Sequence, residues 1–336
     1  MFERKDERVN LLILSNNPSR ASFRQRIGLY LPYLSSAGIS WKVEKLPAGY
    51  LQRSRLFQKA REYDEVLLHK KTLNVLDAFL LGHYARTVLY DFDDAVMYGP
   101  SEVEKHFNSH IRPFRRTVRL AKMVFAGNEY LADHARPFCR DVRVVPTGLD
   151  VKAFDGLQKT KSKPLVRLVW IGSRSTLSYL ERISPVLERI GRRYSNTILR
   201  IIADAFIDLN SMRVEKCFWT EELQNQQLID ADIGLAPLPE NRFTKGKCGF
   251  KILQYFAAGL PVAASPVGVN SDLLRQSGAG VPASTDAQWE EALQQLIENK
   301  SLRESYGQKG KVFVKQYDRE VIGKQFCSLI LDAMRS

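Results

Sequence analysis

The chain has 336 residues, 44% of them hydrophobic and 26% charged, which supplies enough apolar surface for two α/β cores of ordinary size. Lys and Arg number 50 against 37 Asp and Glu, a net charge of +13, yet no run of about 18 apolar residues suggests a membrane span. Four scattered cysteines without a CxxC pair argue against a zinc module or disulfide framework, and the lack of basic segments interleaved with aromatics argues against a nucleic-acid reader.

In chain order the pattern alternates strand and helix. The charged N-terminus runs straight into Val9-Asn-Leu-Leu-Ile-Leu14, too short for the apolar core of a secretory signal, so a cytoplasmic protein is expected. Phe23, Ile27, Tyr30, Leu31 and Leu34 at helical spacing predict a helix over 23–37, and alternation predicts a strand over 39–46. A basic helix over 50–61, strand 65–69, helix 73–82, strand 87–91, helix 111–122, strand 123–126, helix 128–138 and strand 142–146 follow. The polar, lysine-rich residues 148–164 read as a linker. Beyond it come strand 165–171, helix 177–194, strand 198–203, helix 221–231, strand 233–236, a short helix at Lys251, strand 262–265, and helices 289–299, 302–316 and 321–334. Strands separated by such helices imply parallel βαβ units, and hence an α/β protein of two Rossmann-like domains with ligands at the carboxyl ends of the strands.

The most informative stretch is Lys245-Gly-Lys-Cys-Gly-Phe-Lys251 and the βα unit after it, up to Asn270. Amides freed by glycine at a helix N-terminus suit an anion, and Lys247 and Lys251 add positive charge. A lysine at that end of a helix opposes the helix dipole, so its placement asks for an anion. Gly268, Val269 and Asn270 offer a second amide-rich turn at the next strand end, and two phosphate-friendly turns suggest a nucleotide diphosphate. Gly172, Ser173 and Arg174 follow an earlier strand and are candidates for phosphate or sugar contact. Cys248 reads as a small packing residue.

Four blocks then carry a resemblance: Val144-Val-Pro-Thr-Gly-Leu-Asp150, Trp170-Ile-Gly-Ser173, Asp230-Ala-Asp-Ile-Gly-Leu-Ala-Pro-Leu238 and Leu253-Gln-Tyr-Phe-Ala-Ala-Gly-Leu-Pro-Val-Ala-Ala-Ser265. In this order and spacing they resemble the GT-B glycosyltransferases, and within them family 4. The resemblance implies two domains facing across a cleft. Residues 1–148 would hold the acceptor, residues 149–319 the nucleotide-sugar donor, and a terminal helix at about 320–336 would pack back on the first domain. It also implies two glutamates eight positions apart, but here Gly246 and Gln254 stand at those positions. Gln254 retains hydrogen-bonding capacity toward a ribose without the charge. The resemblance further implies an Arg and a Lys after the first donor-domain turn; here only Arg174 is present, so the phosphate-neutralising role passes to Lys247 and Lys251. No DxD-type site occurs in the donor half, so a mechanism without metal or cofactor is expected.

For the acceptor side, Tyr90-Asp-Phe-Asp-Asp-Ala95 places three acids at a strand end facing the expected cleft. Asp93 and Asp94 are candidates to hold or deprotonate the acceptor hydroxyl, and acids so close are expected to raise one pKa; helix capping is the alternative role. Asn16, Arg20, Arg24 and Arg26 after the first strand, and Asn128 and Glu129 after another, are candidate acceptor contacts, whereas His69 reads as a packed residue. The expected function is transfer of a sugar from a nucleotide-diphosphate-sugar donor to a glycan or lipid-linked acceptor in cell-surface polysaccharide assembly. The basic N-terminal half suits an anionic membrane at its cytoplasmic face. A turnover-deficient binding scaffold and a nucleotide-sugar epimerase are the alternatives.

Overall fold

The computed structural model describes residues 9–99, 109–160 and 165–335; the charged 1–8 segment and the end of the 148–164 linker stretch lie outside the described residues. The chain divides into two compact units. The first runs up to Leu149 and adds Asn241–Cys248 and the chain from Arg319 onward; the second is Asp150–Glu240 with Gly249–Asp318.

In the first unit β1 (Val9–Ser15), α1 (Ala21–Arg26), α2 (Leu31–Ser36), β2 (Ile39–Lys45), α3 (Tyr50–Lys59) and β3 (Glu65–His69) come first. Then follow α4 (Val75–Tyr84), β4 (Val88–Phe92), α5 (Ile111–Leu120), β5 (Met123–Ala126), α6 (Glu129–Ala135) and β6 (Asp141–Val144). The sheet is parallel throughout, in the order β2-β1-β3-β4-β5-β6. Side chains alternate between its faces. Leu12, Leu14, Leu68, Tyr90 and Phe92 pack with Phe57, Leu81 and Phe114 of α3, α4 and α5. Leu11, Ile13, Leu67, Leu89 and Phe125 turn the other way, toward Phe23, Ile27 and the C-terminal helix. Phe326 of that helix packs its ring 5.5 Å from Tyr30 and 5.1 Å from Phe125, a burial that contributes roughly 2 kcal/mol.

The second unit contains β7 (Val166–Ile171), α7 (Leu177–Glu181), α8 (Ser184–Arg193), β8 (Thr197–Ala203), β9 (Arg213–Phe218), α9 (Gln224–Ile229) and β10 (Ile233–Ala236). Next come α10 (Phe250–Ala257), β11 (Val262–Ala264), α11 (Val269–Ser277), β12 (Gly280–Pro282), α12 (Asp286–Glu298) and α13 (Lys300–Val314). Its parallel sheet has the order β12-β11-β10-β7-β8-β9. The chain closes with α14 (Arg319–Arg335), part of the first unit.

Several local features differ from the sequence expectation. The helix expected over 23–37 is broken into α1, a 3-10 turn and α2, with Pro32 in the first turn of α2, where its missing N–H costs nothing. The helix expected over 177–194 is likewise two helices, with Pro185 opening the second. Strands β9 and β12 and helix α11 were not expected. β9 is a sheet edge whose exposed and half-buried residues include Arg213, Glu215 and Lys216, so it lacks the apolar run of a central strand.

Each sheet has one point where strand order reverses, between β1 and β3 and between β10 and β7, and ligands of such sheets bind beyond the strand ends at that point. In the second sheet β10 registers with β7 at Ile233 and Gly234. Farther on, the Tyr255 hydroxyl accepts from Ile171 N (3.1 Å) and donates to Leu235 O (2.9 Å), bridging the diverging strands. A Cβ at Gly234 would stand 2.5 Å from the Tyr255 ring, so glycine is required there.

Candidate functional site

In the second unit α10 and α11 both start from glycines with positive φ, Gly249 at +67° and Gly268 at +54°. A Cβ added to Gly249 would meet Leu273 at 2.5 Å, Val269 at 3.2 Å and the Asn270 side chain at 3.5 Å. The two helix N-termini therefore lie side by side, and the first amides of each lack intrahelical acceptors. Asn270 is buried and holds its turn together: its backbone N–H donates to Val267 O (3.2 Å) and its side-chain amide to Ser265 O (3.3 Å).

Lys251, in the first turn of α10, sets its ammonium 5.1 Å from the centroid of the buried Trp170 ring, a cation–π contact that holds it near the end of β7. The backbone of Gly172 lies on the same indole, since a Cβ there would come within 2.2 Å of it. Ser173 opens a capping box with Thr176, and the Arg174 N–H donates to Asp204 (2.6 Å) while the Arg174 side chain is exposed. Gln254 is buried and donates to Gln224 Oε1 (3.3 Å), which also accepts from the Trp219 indole N–H (3.0 Å). Trp219 and Gln224 escaped sequence reasoning, because roughly 30 residues separate them from the motif they join.

In the first unit the carboxyl ends of β3, β4 and β5 carry a ladder of alternating charge. Lys70, directly after β3, has φ +58°, the one positive value outside glycine among the described residues. Its N–H donates to Asp91 O (2.7 Å), and its ammonium reaches Asp93 (2.9 Å) and Asp94 (2.5 Å). Lys247 meets the other oxygen of Asp94 at 2.7 Å. A backbone conformation of this kind costs about 1–2 kcal/mol for a side-chain-bearing residue; the two carboxylates offset it.

The loop Asn241–Cys248 belongs to this unit. Asn128 caps α6 by accepting from Leu131 N (2.9 Å) and donates to the carbonyls of Gly246 (3.2 Å) and Lys247 (3.3 Å); Tyr130 donates to Arg242 O (2.9 Å). A Cβ at Gly246 would stand 2.7 Å from Ala95 and 2.9 Å from Leu131. This backbone therefore leaves no room for a side chain at Gly246. Burial pushes the Cys248 thiol up to about 12, consistent with a packing role; its Sγ lies 3.2 Å from Asp93 O.

Beneath the ladder lies a buried ion-pair network. Arg26 pairs with Asp91 (2.8 Å) and donates to Val145 O (2.5 Å), and His69 Nδ1 meets the other Asp91 oxygen at 2.9 Å. Asp91 does not face a site, contrary to the sequence reading of three acids side by side. Strand alternation turns it inward, opposite to Tyr90 and Phe92. Burial alone would raise the Asp91 pKa, but Arg26 and His69 outweigh it and hold it below the usual carboxylate range. Asp93 behaves alike: burial opposes ionisation, but Lys70, Arg26 and His69 hold its pKa low. The expected raising of a pKa is therefore corrected at Asp93, because the charges of Lys70, Arg26 and His69 outweigh the burial that opposes ionisation. Lys70 itself is raised despite burial, by the same two aspartates.

The fold thus joins Asp93, Asp94, Lys247 and Asn128 in one cluster, and Gly172, Lys251, Gly268 and Val269 lie about the strand ends of the second sheet. Glu129 is exposed and paired with Arg136 (2.6 Å). Asn16 and Arg20 are exposed on the β1–α1 loop, where Arg24 donates to Ser19 O (3.1 Å). Among the described residues no group of three or more His, Cys, Asp or Glu side chains is placed to hold a metal ion.

No family model matches this chain, and no curated relative matches it in sequence. Solved structures do match in fold. Sucrose-phosphate synthase from Thermosynechococcus elongatus is 14% identical, with 97% of this chain and 99% of that one covered and a TM-score of 0.71. Anabaena HepE in complex with UDP and glucose is 15% identical over 96% and 100%, also at 0.71. WaaG, a glycosyltransferase involved in lipopolysaccharide biosynthesis, is 13% identical over 95% and 99%, at 0.66. The chain has the fold these GT-B glycosyltransferases share: two parallel six-stranded sheets with flanking helices.

Proposed function

We propose that this protein is a family 4-like glycosyltransferase that moves a sugar from a nucleotide-diphosphate donor, held by the second unit, to a glycan or lipid-linked acceptor held by the first. The observation that carries this reading is the pair of glycine-started helix N-termini with Lys251 beside them. Backbone N–H groups and one ammonium stabilise the diphosphate as the bond to the anomeric carbon breaks, and no metal is needed. Asp94, held between Lys70 and Lys247, accepts the hydrogen bond of the attacking hydroxyl. HepE binds UDP and glucose on the same fold, which supports a nucleotide-sugar donor. The net charge of +13 and the likeness to WaaG support work in cell-surface polysaccharide assembly, at the cytoplasmic face of an anionic membrane.

A second reading, a scaffold that binds nucleotide without turnover, draws on Gly246 and Gln254 standing where the family's glutamates stand. Thermal denaturation with UDP, GDP, ADP and their sugars, on wild type and Lys251→Ala, tests both. Ligand at 100 times its dissociation constant stabilises by about 2.7 kcal/mol, and the variant is expected to lose most of that. Release of nucleoside diphosphate from the stabilising sugar nucleotide distinguishes enzyme from scaffold. If no nucleotide stabilises the folded wild type, the donor assignment fails.

A further inference from the structure

The outer layer of the first unit formed by α3, α4 and α5 has an unusual composition. Of the twelve large hydrophobic side chains exposed among the described residues, five are on α3 and α4: Tyr50, Leu51, Val75, Leu76 and Phe79. Phe79 is 68% exposed and Leu51 72%. The helices are tied edge to edge. Arg53 of α3 pairs with the buried Asp77 of α4 at 2.7 Å, and Arg116 of α5 donates to Leu73 O, just before α4, at 3.0 Å. With Asp77, Ala78 and Leu81 buried on the inner side of α4, helical geometry turns Leu76 and Phe79 directly outward.

Charge surrounds this apolar crest on both sides. The three helices carry seven basic residues, three on α3 and four on α5, and their one acid is the already paired Asp77. Arg55, Arg112, Arg115 and Arg119 are exposed. Monomeric proteins seldom leave contiguous apolar surface in water without a use for it. A nucleic acid could stack a base on Phe79 but gives the aliphatic Leu51, Val75 and Leu76 no apolar layer to enter, and a second copy of this face would set like charges against each other.

We infer that the outer face of α3, α4 and α5 docks on an anionic lipid surface, with Leu76 and Phe79 entering the interfacial layer and the flanking arginines meeting lipid phosphates. This rests on the membrane setting proposed above and names the face that makes the contact. Each basic residue at such a surface multiplies the partition by about fivefold, an effect that salt weakens.

The test is co-flotation of the full chain with phosphatidylcholine vesicles and with vesicles carrying roughly 30% phosphatidylglycerol, at two salt concentrations. Leu76→Glu with Phe79→Glu, and Arg112→Glu with Arg115→Glu and Arg119→Glu, are compared with wild type. All of these residues are exposed, but Arg115 and Arg119 also lie over the Phe138 ring at 5.2 and 4.9 Å and Phe79 stacks on His83, so the melting temperature of each variant is measured alongside and flotation is compared on folded protein only. Wild type should float with the anionic vesicles only, and each variant should lose at least tenfold in partition. Wild type that stays behind, or variants that float as wild type does, would overturn the docking face. So would a concentration-dependent dimer abolished by the apolar variant at unchanged flotation, which assigns the face to a second copy. Nucleotide stabilisation measured on the same samples separates the readings. Retained nucleotide binding with lost flotation in wild type sinks the docking face alone, and the converse sinks the donor site alone.

Discussion

Among the described residues the first unit buries Arg26, Glu65, His69, Asp77 and Asp91, whereas the second buries one acid, Asp318, and no basic side chain. The sheets have equal strand numbers and similar apolar layers, so the difference is not one of fold. In the first unit side-chain charge sets the shape of the strand ends: Arg26, Asp91 and His69 lock β3 to β4 under a Lys70–Asp93–Asp94–Lys247 ladder already neutralised by its own members. In the second, backbone geometry does the same task through two positive-φ glycines and helix N-termini. A site that balances its own charges suits a neutral hydroxyl-bearing ligand, and one built from amides and helix dipoles suits an anion. The contrast supports acceptor chemistry on the first unit and diphosphate binding on the second.

The contrast can be broken most forcefully at Arg26. Arg26→Leu leaves Asp91 buried with only His69 beside it, and it is expected to cost the first unit about 3–5 kcal/mol. Of the four tryptophans only Trp41 lies in the first unit. In urea titrations, far-UV circular dichroism should therefore show an early transition that tryptophan fluorescence, dominated by the second unit, largely misses. A single shifted transition in both signals would mean that the units do not keep separate electrostatic books.

A smaller effect is expected at Glu65, whose carboxyl is buried at the start of β3 with both oxygens unpartnered. Burial raises its pKa from 4.5 to about 7. A raised folded-state pKa stabilises fully below pH 4.5, and that contribution is lost as pH rises through about 7. Glu65→Gln should remove this loss and add about 2 kcal/mol at pH 8. Asp91 and Asp93, held low, act with the opposite sign: their contribution is present at neutral pH and disappears in acid. Stability of the first unit against pH in the variant and wild type checks both directions.

The least costly change sharpens the contrast from the other side. Gly249→Ala combines a positive φ with a 2.5 Å approach to Leu273 and should cost about 2 kcal/mol while abolishing nucleotide stabilisation. Gly278→Ala has the same φ sign with open space around it, so it should cost about 1 kcal/mol and leave nucleotide binding intact. Equal loss of binding in both would refute the paired N-termini as the anion site.

Much of this architecture was legible in the residues alone. The alternation of apolar runs and helical spacing announced two parallel sheets, because buried strands must be apolar on both faces and crossover helices must cover them. Gly249, Lys251 and Gly268 announced amide-rich turns, since glycine and helix starts act locally. What remained hidden depended on partners distant in sequence. Asp91 reads like Asp93 and Asp94 until Arg26, 65 residues earlier, is seen across from it. Nothing beside Lys70 in the sequence announces that its left-handed backbone sets it between two aspartates. Gly246 reads as a lost glutamate until Ala95 and Leu131 are found where a side chain would stand. Local chemistry is written into neighbouring residues, but whether a charge is buried, paired or displaced depends on which strands the sheet sets side by side. For this protein the tertiary structure alone decided that.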